Sequence, residues 1–214
     1  MRKSYVIVSL FVFMAGIAQA CQISVNKSLR LDDGEKKRGS MNTVNGSIRI
    51  GKGCEVRGEC RTVNGRIKIG RKSEVREVQS VNGTVDIGRD VEIRDDIATV
   101  NGNIRCDNGA QIGGHIFTVN GKIELDNTQV RDGIETYTGH ISLDNGTKVK
   151  SDIIVKEPKG NNRGKSKRLY IRLEDHSVVK GDIVVENDYV DVIVQIDKTS
   201  DVVGEIIGAK VERD

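Results

Sequence analysis

The residues with the greatest chemical reach in this 214-residue chain are four cysteines, three histidines and three Asp-Asn pairs. Cys54 and Cys60 lie six residues apart. In an oxidising compartment such a pair is a disulfide candidate. Cys106 is too far along the chain repeat described below to reach either of them, and is expected to be free. No Cys-x-x-Cys or Cys/His spacing points to zinc, and His115, His140 and His176 fall at unrelated positions of the repeat. Asp107-Asn108, Asp126-Asn127 and Asp144-Asn145 recur at 19 and 18 residues. Stacked carboxylates suit a hard cation such as calcium, but Asp-Asn beside a strand end is also ordinary turn chemistry, which is the favoured reading. The chain has no nucleophile elbow, phosphate-binding glycine loop or paired catalytic carboxylates. The expectation is a protein with no enzymatic activity and no cofactor.

What positions these residues is a repeat. Thr-Val-Asn-Gly at residues 43–46 returns at 62–65, as Ser-Val-Asn-Gly at 80–83, then at 99–102 and 118–121, and decays to Thr-Tyr-Thr-Gly at 136–139. Successive glycines are 19, 18, 19, 19 and 18 residues apart. Residues 25–31, with Lys27 in place of Gly, form a degenerate first copy, as terminal repeats tend to be. Within each period apolar residues recur about every six positions, as in Ile69, Val75, Val81 and Ile87. Three short apolar steps per coil predict three flat faces. The expected fold is all-β: a single-stranded parallel β-helix (β-solenoid), triangular in cross-section, with about nine coils of 18–19 residues. Pairs such as Ile48/Ile50 and Ile104/Cys106 put both side chains on the inward side of a strand. The same register places Cys60 with Met41, Val78, Ile97, Ile116 and Ile134, and Cys54 with Ser73 and Ala110. In the Thr-Val-Asn-Gly phrase, Val is expected inward and Thr and Asn outward, with Gly supplying a positive φ at a corner. Stacked asparagines then form an amide ladder. An outward Thr-x-Asn ladder is similar to the ice-binding faces of some antifreeze proteins, so ice binding is a second reading.

The flanks carry the remaining signals. Residues 1–20 read as an export signal: Arg2 and Lys3, an apolar stretch over residues 5–17, and Ala18-Gln19-Ala20 as a cleavage site. The apolar run is short for a membrane span, so none is expected. Cys21 would then be the first mature residue, and lipidation there is a candidate anchor. Without Arg2 and Lys3 the charge is 32 − 31 = +1, which gives no argument for nucleic acid. Four segments follow: 1–20 signal, 21–155 β-helix repeats, 156–168 a basic loop, and 169–214 the last coils and C-terminal cap. The loop carries Lys156, Lys159, Arg163, Lys165, Lys167 and Arg168, a candidate surface for an anionic envelope polymer or lipid. Acids near the C-terminus would blunt the open edge of the last coil against uncontrolled pairing.

The coil length, the six-residue face and the Gly-punctuated aliphatic rungs resemble bactofilins, polymer-forming bacterial cytoskeletal proteins. That resemblance covers residues 23–156 and, more loosely, 169–207. It implies a triangular right-handed parallel β-helix that associates end to end. The Val-Asn-Gly phrase is closer to uncharacterised exported bacterial repeat proteins. Ile50-Gly51, Ile69-Gly70 and Ile87-Gly88 also resemble hexapeptide acyltransferase coils, but seven-residue steps break that pattern. The reading is an exported envelope protein, in the periplasm or at the cell surface. It would act as a rigid scaffold or binding module, with itself or an anionic envelope polymer or lipid as partner. A polysaccharide-binding or polysaccharide-processing β-helix is the alternative.

Overall fold

The computed structural model describes residues 23–157 and 167–214. Those residues form a parallel β-solenoid of short strands and turns, with no helix among them. Three stacks of strands run the length of the solenoid. The first face contains ten strands, from Leu29–Leu31 through Ile48–Ile50, Ile67–Ile69 and so on to Lys210–Arg213. The second begins at Lys36–Lys37 and ends at Asp201–Val202; the third begins at Ile23–Ser24 and ends at Ile206–Ile207. The last two share one hydrogen-bonded sheet because Glu55–Asn64 and Glu74–Asn82 each run on from one face into the next. The pairing between those two strands is irregular between Val56 and Glu59.

The register is the one the repeat predicts. Leu31, Ile50, Ile69, Ile87, Cys106, Leu125, Leu143, Leu173 and Ile196 stack in one inward column. Met41, Cys60, Val78, Ile97, Ile116, Ile134, Ile153 and Ile183 stack in another. These aliphatics supply a continuous core with almost no aromatic content. Small and β-branched side chains suit it, because each coil must repeat its neighbour at a spacing of about 4.8 Å. The steps are 19, 19, 18, 19, 19 and 18 residues from Leu31 to Leu143, then 30 to Leu173 and 23 to Ile196. The 30-residue step holds the insertion. Asn187, on the coil after it, is buried and donates to the carbonyl of Tyr137 on the coil before it, at 3.1 Å. It ties together the two coils on either side of the insertion.

The Thr-Val-Asn-Gly phrase is oriented opposite to expectation. Thr43, Thr62, Ser80, Thr99, Thr118 and Thr136 point inward, each 0–3% exposed, while Val44, Val63, Val81, Val100 and Val119 are only half-buried. The reason is alternation: Met41 and its column lie two residues before Thr43 and its column, so both share the inner side. Two of these hydroxyls reach the corner of the preceding coil, while those of Ser80, Thr99 and Thr118 find no partner among the described residues. Thr43 Oγ1 donates to the Lys27 carbonyl and Thr62 Oγ1 to the Gly46 carbonyl, each at 2.8 Å. The outward threonine ladder, and the ice-binding argument built on it, therefore fall away.

The glycine of the phrase also has a different reason. None of Gly46, Gly65, Gly83, Gly102, Gly121 or Gly139 has a positive φ. A Cβ on Gly102 would lie 2.1 Å from the Gly83 carbonyl oxygen and 3.0 Å from Thr99 Oγ1. Glycine is there because each corner sits directly against the corner of the preceding coil. Left-handed backbone occurs instead at the turn after the first face, where Gly34, Gly53, Lys72, Asp90 and Gly109 have φ of 55–81°. The expected amide ladder is present. Asn45, Asn64, Asn82, Asn101 and Asn120 each donate to the asparagine one coil earlier, at 2.8–3.1 Å.

Candidate functional site: the two ends of the solenoid

The three described cysteines belong to the core. Cys54, Cys60 and Cys106 are buried free thiols. The expected Cys54–Cys60 disulfide is not formed, because the intervening chain is nearly all strand at about 3.3 Å per residue, which carries the two apart around the Gly58 bend. Cys54 Sγ instead donates to the Asp32 carbonyl at 2.9 Å. Burial pushes the Cys60 thiol up to about 12, and Cys106 is raised in the same way, so neither is a nucleophile. Cys21 lies outside the described residues.

The Asp-Asn pairs are turn residues. Asn127 donates to Asn108 Oδ1 at 3.2 Å and Asn145 to Asp126 Oδ1 at 3.0 Å, while Asp144 Oδ1 accepts the Asn145 amide. Among the described residues no His, Cys, Asp or Glu cluster could hold a metal ion, and no helix is long and apolar enough to cross a membrane.

The expected basic loop, residues 156–168, is described only at its two ends. The strand Lys167–Leu173 already includes Lys167 and Arg168, because Leu169 and Ile171 rejoin the core and draw the chain into the sheet. Lys156 turns to Glu186, 3.5 Å away, rather than to solvent. Arg168 is exposed and its guanidinium meets the Tyr170 hydroxyl. Lys159, Arg163 and Lys165 lie outside the described residues.

The ends are more distinctive. At the N-terminal end the edge strands Leu29–Leu31 and Lys36–Lys37 pair only with the coil that follows. Lys37 occupies the column that Val56 and Val75 continue, so this end presents a cation where the aliphatic column stops. At the C-terminal end Lys210–Arg213, Asp201–Val202 and Ile206–Ile207 pair only with the coil before. Residues 23–40 carry 5 cations and 3 anions (+2), and residues 197–214 carry 3 cations and 5 anions (−2). Residues 174–196, the coil next to that end, add 1 cation and 6 anions (−5). Apolar side chains are exposed at both ends: Val25 at one, Val203, Ile207 and Val211 at the other. The two ends are thus opposite in charge, and among the described residues no further strand pairs with either.

A second feature that sequence reasoning missed lies on the first face. His140 and Tyr170 are stacked, with ring centroids 5.8 Å apart, and Arg172 lies over the Tyr170 ring at 5.3 Å. These residues are 30 apart in sequence across the insertion. The match of Ile141 with Ile171 was the signal that aligns them. No family model, curated protein or solved structure matches the chain.

Proposed function

We propose that this protein is a non-enzymatic, exported envelope protein whose solenoid is a rigid rod that stacks head to tail with further copies. The observation that carries this reading is the pair of ends: unpaired parallel strand edges, opposite in charge, each with exposed aliphatic side chains. A parallel edge presented to a parallel edge continues the same ladder, and basic against acidic ends favours head-to-tail over tail-to-tail contact. Such a heterologous contact does not close on itself and yields filaments. The bactofilin resemblance supports the same arrangement. The leader over residues 1–20 supports export, and a lipidated Cys21 would hold one end of the rod at a membrane.

Light scattering and negative-stain microscopy of the purified protein test this. Rods longer than one molecule, roughly 40 Å for ten stacked strands, are expected at low ionic strength and should shorten as salt screens the ends. Lys36→Glu with Lys37→Glu should leave monomers, and adding Asp201→Lys with Glu205→Lys should restore assembly. A monomer at every salt and protein concentration would sink the proposal.

A further inference from the structure

The first face carries a concave site lined by cations on the side of the solenoid. A hollow of about 230 Å³ is lined by Lys122, His140, Ser142, Tyr170 and Arg172, with Ile141 at its floor. No carboxylate lines it. Arg172 donates through Nε to Gln195 at 2.9 Å and enters no ion pair among the described residues. That bond and the Tyr170 ring fix its guanidinium, which leaves the terminal N–H groups as a planar fork suited to a carboxylate or phosphate. Lys122 is held by Glu124 at 2.6 Å. His140 Nδ1 accepts the Tyr170 amide at 3.1 Å, so Nε2 bears the proton and is a donor. Burial, and then the Arg172 and Lys122 charges, hold this imidazole below its ordinary value, so it faces the hollow as a neutral donor.

A second hollow of about 480 Å³ continues down the same face and shares Tyr170 as a wall. Its polar lining mixes the cations Arg168 and Lys210 with Asp191, Gln195 and Glu212, so it offers donors and acceptors to sugar hydroxyls and a cation to a further carboxylate. Lys122, His140, Tyr170, Ile193 and Lys210 succeed one another coil by coil along this groove. Four coil steps make it about 19 Å long.

We propose that this groove binds an acidic oligosaccharide strand, with an anionic group in the upper hollow against Arg172, His140 and Lys122 and sugar hydroxyls along the lower one. The upper hollow lies on a side face, two coils in from the terminal strand, so it does not depend on head-to-tail stacking and either reading can fail without the other. The test is titration of the protein with tetragalacturonate and, separately, inorganic phosphate, followed by calorimetry and by the ring-proton resonances of His140. Tetragalacturonate should shift His140 but not His176. Arg172→Gln should weaken binding about tenfold, the loss of one charge-assisted hydrogen bond. Lys148→Gln, an exposed cation on the second face, should leave it unchanged. An unmoved His140 at low ionic strength, or equal weakening by the two variants, would overturn the site. Phosphate binding as tightly as the tetramer would overturn the saccharide assignment.

Discussion

Replacing Gly102 by alanine tests the corner packing most directly. The new Cβ would sit 2.1 Å from the Gly83 carbonyl oxygen, 2.7 Å from its carbonyl carbon and 3.0 Å from Thr99 Oγ1. The first two are backbone atoms and cannot rotate away. Relieving the contact needs about 1 Å of separation between coils that are about 4.8 Å apart. The ladder bonds nearest the corner between those two coils, such as Val85 N to Asn103 O at 2.9 Å, tolerate little of that. Losing two or three such bonds at about 1 kcal/mol each puts the cost near 3 kcal/mol. Gly53→Ala is the control. Gly53 has φ of +64° and no atom within 4 Å of a Cβ, and its column already holds Lys72 and Asp90 at similar φ. Only the left-handed cost of about 1 kcal/mol applies there. Asparagine separates the two causes further. It tolerates a positive φ, so Gly53→Asn should be nearly neutral, whereas Gly102→Asn should cost at least as much as Gly102→Ala. Urea unfolding followed by far-UV circular dichroism measures all four. If Gly102→Ala costs no more than Gly53→Ala, or asparagine rescues position 102, the close-approach explanation is wrong.

Three other outcomes are expected. The buried cysteines should not react with a thiol reagent at pH 8 until the chain is unfolded, and mass spectrometry without reductant should find no Cys54–Cys60 link; fast native labelling would contradict their burial. Thr62→Val removes the hydroxyl's bond to Gly46 and should cost about 1 kcal/mol, whereas Thr99 Oγ1 finds no partner among the described residues, so Thr99→Val should be neutral or stabilising. Equal effects in unfolding would refute that distinction. Arg57 and then Lys36 hold the Glu55 carboxyl at about 2 against an ordinary 4.5, and Lys122 and Arg105 lower Glu124 against the opposing effect of burial. A depressed folded value stabilises above the unfolded pKa and is lost as pH falls through the folded one. Stability should therefore decline from pH 4.5 towards 2, less steeply in Glu55→Gln, and a flat profile in wild type would exclude these groups as the cause.

The register was legible from the chain because stacked coils impose translational symmetry. Each inward position must be filled by a similar residue one period later, and Ile48, Ile67, Val85, Ile104, Ile123 and Ile141 are. Even Cys106 could be placed, since Ile87 and Leu125 flank it in the column. The face on which Thr stands was not legible. Thr and Val are nearly isosteric and both β-branched, so periodicity alone does not say which of two adjacent columns is inside. That depends on the passage from the second face to the third, where alternation runs unbroken through Gly58 in one coil and breaks between Arg76 and Val78 in the next. The role of Gly102 was hidden for a similar reason: a repeated Asn-Gly signals a turn, but the chain does not say whether glycine answers to φ or to a neighbouring carbonyl.

The sequence by itself determined the coil length, the three-faced core, the asparagine ladder and the net charge of each end, because all follow from local composition and a fixed period. Only the tertiary structure decided that the threonines are inside, that Cys54 and Cys60 stay apart, and that His140, Tyr170 and Arg172 converge across the 30-residue coil. Those outcomes depend on distances between coils and on the direction of each side chain at a bend, quantities that appear only when the chain is wound.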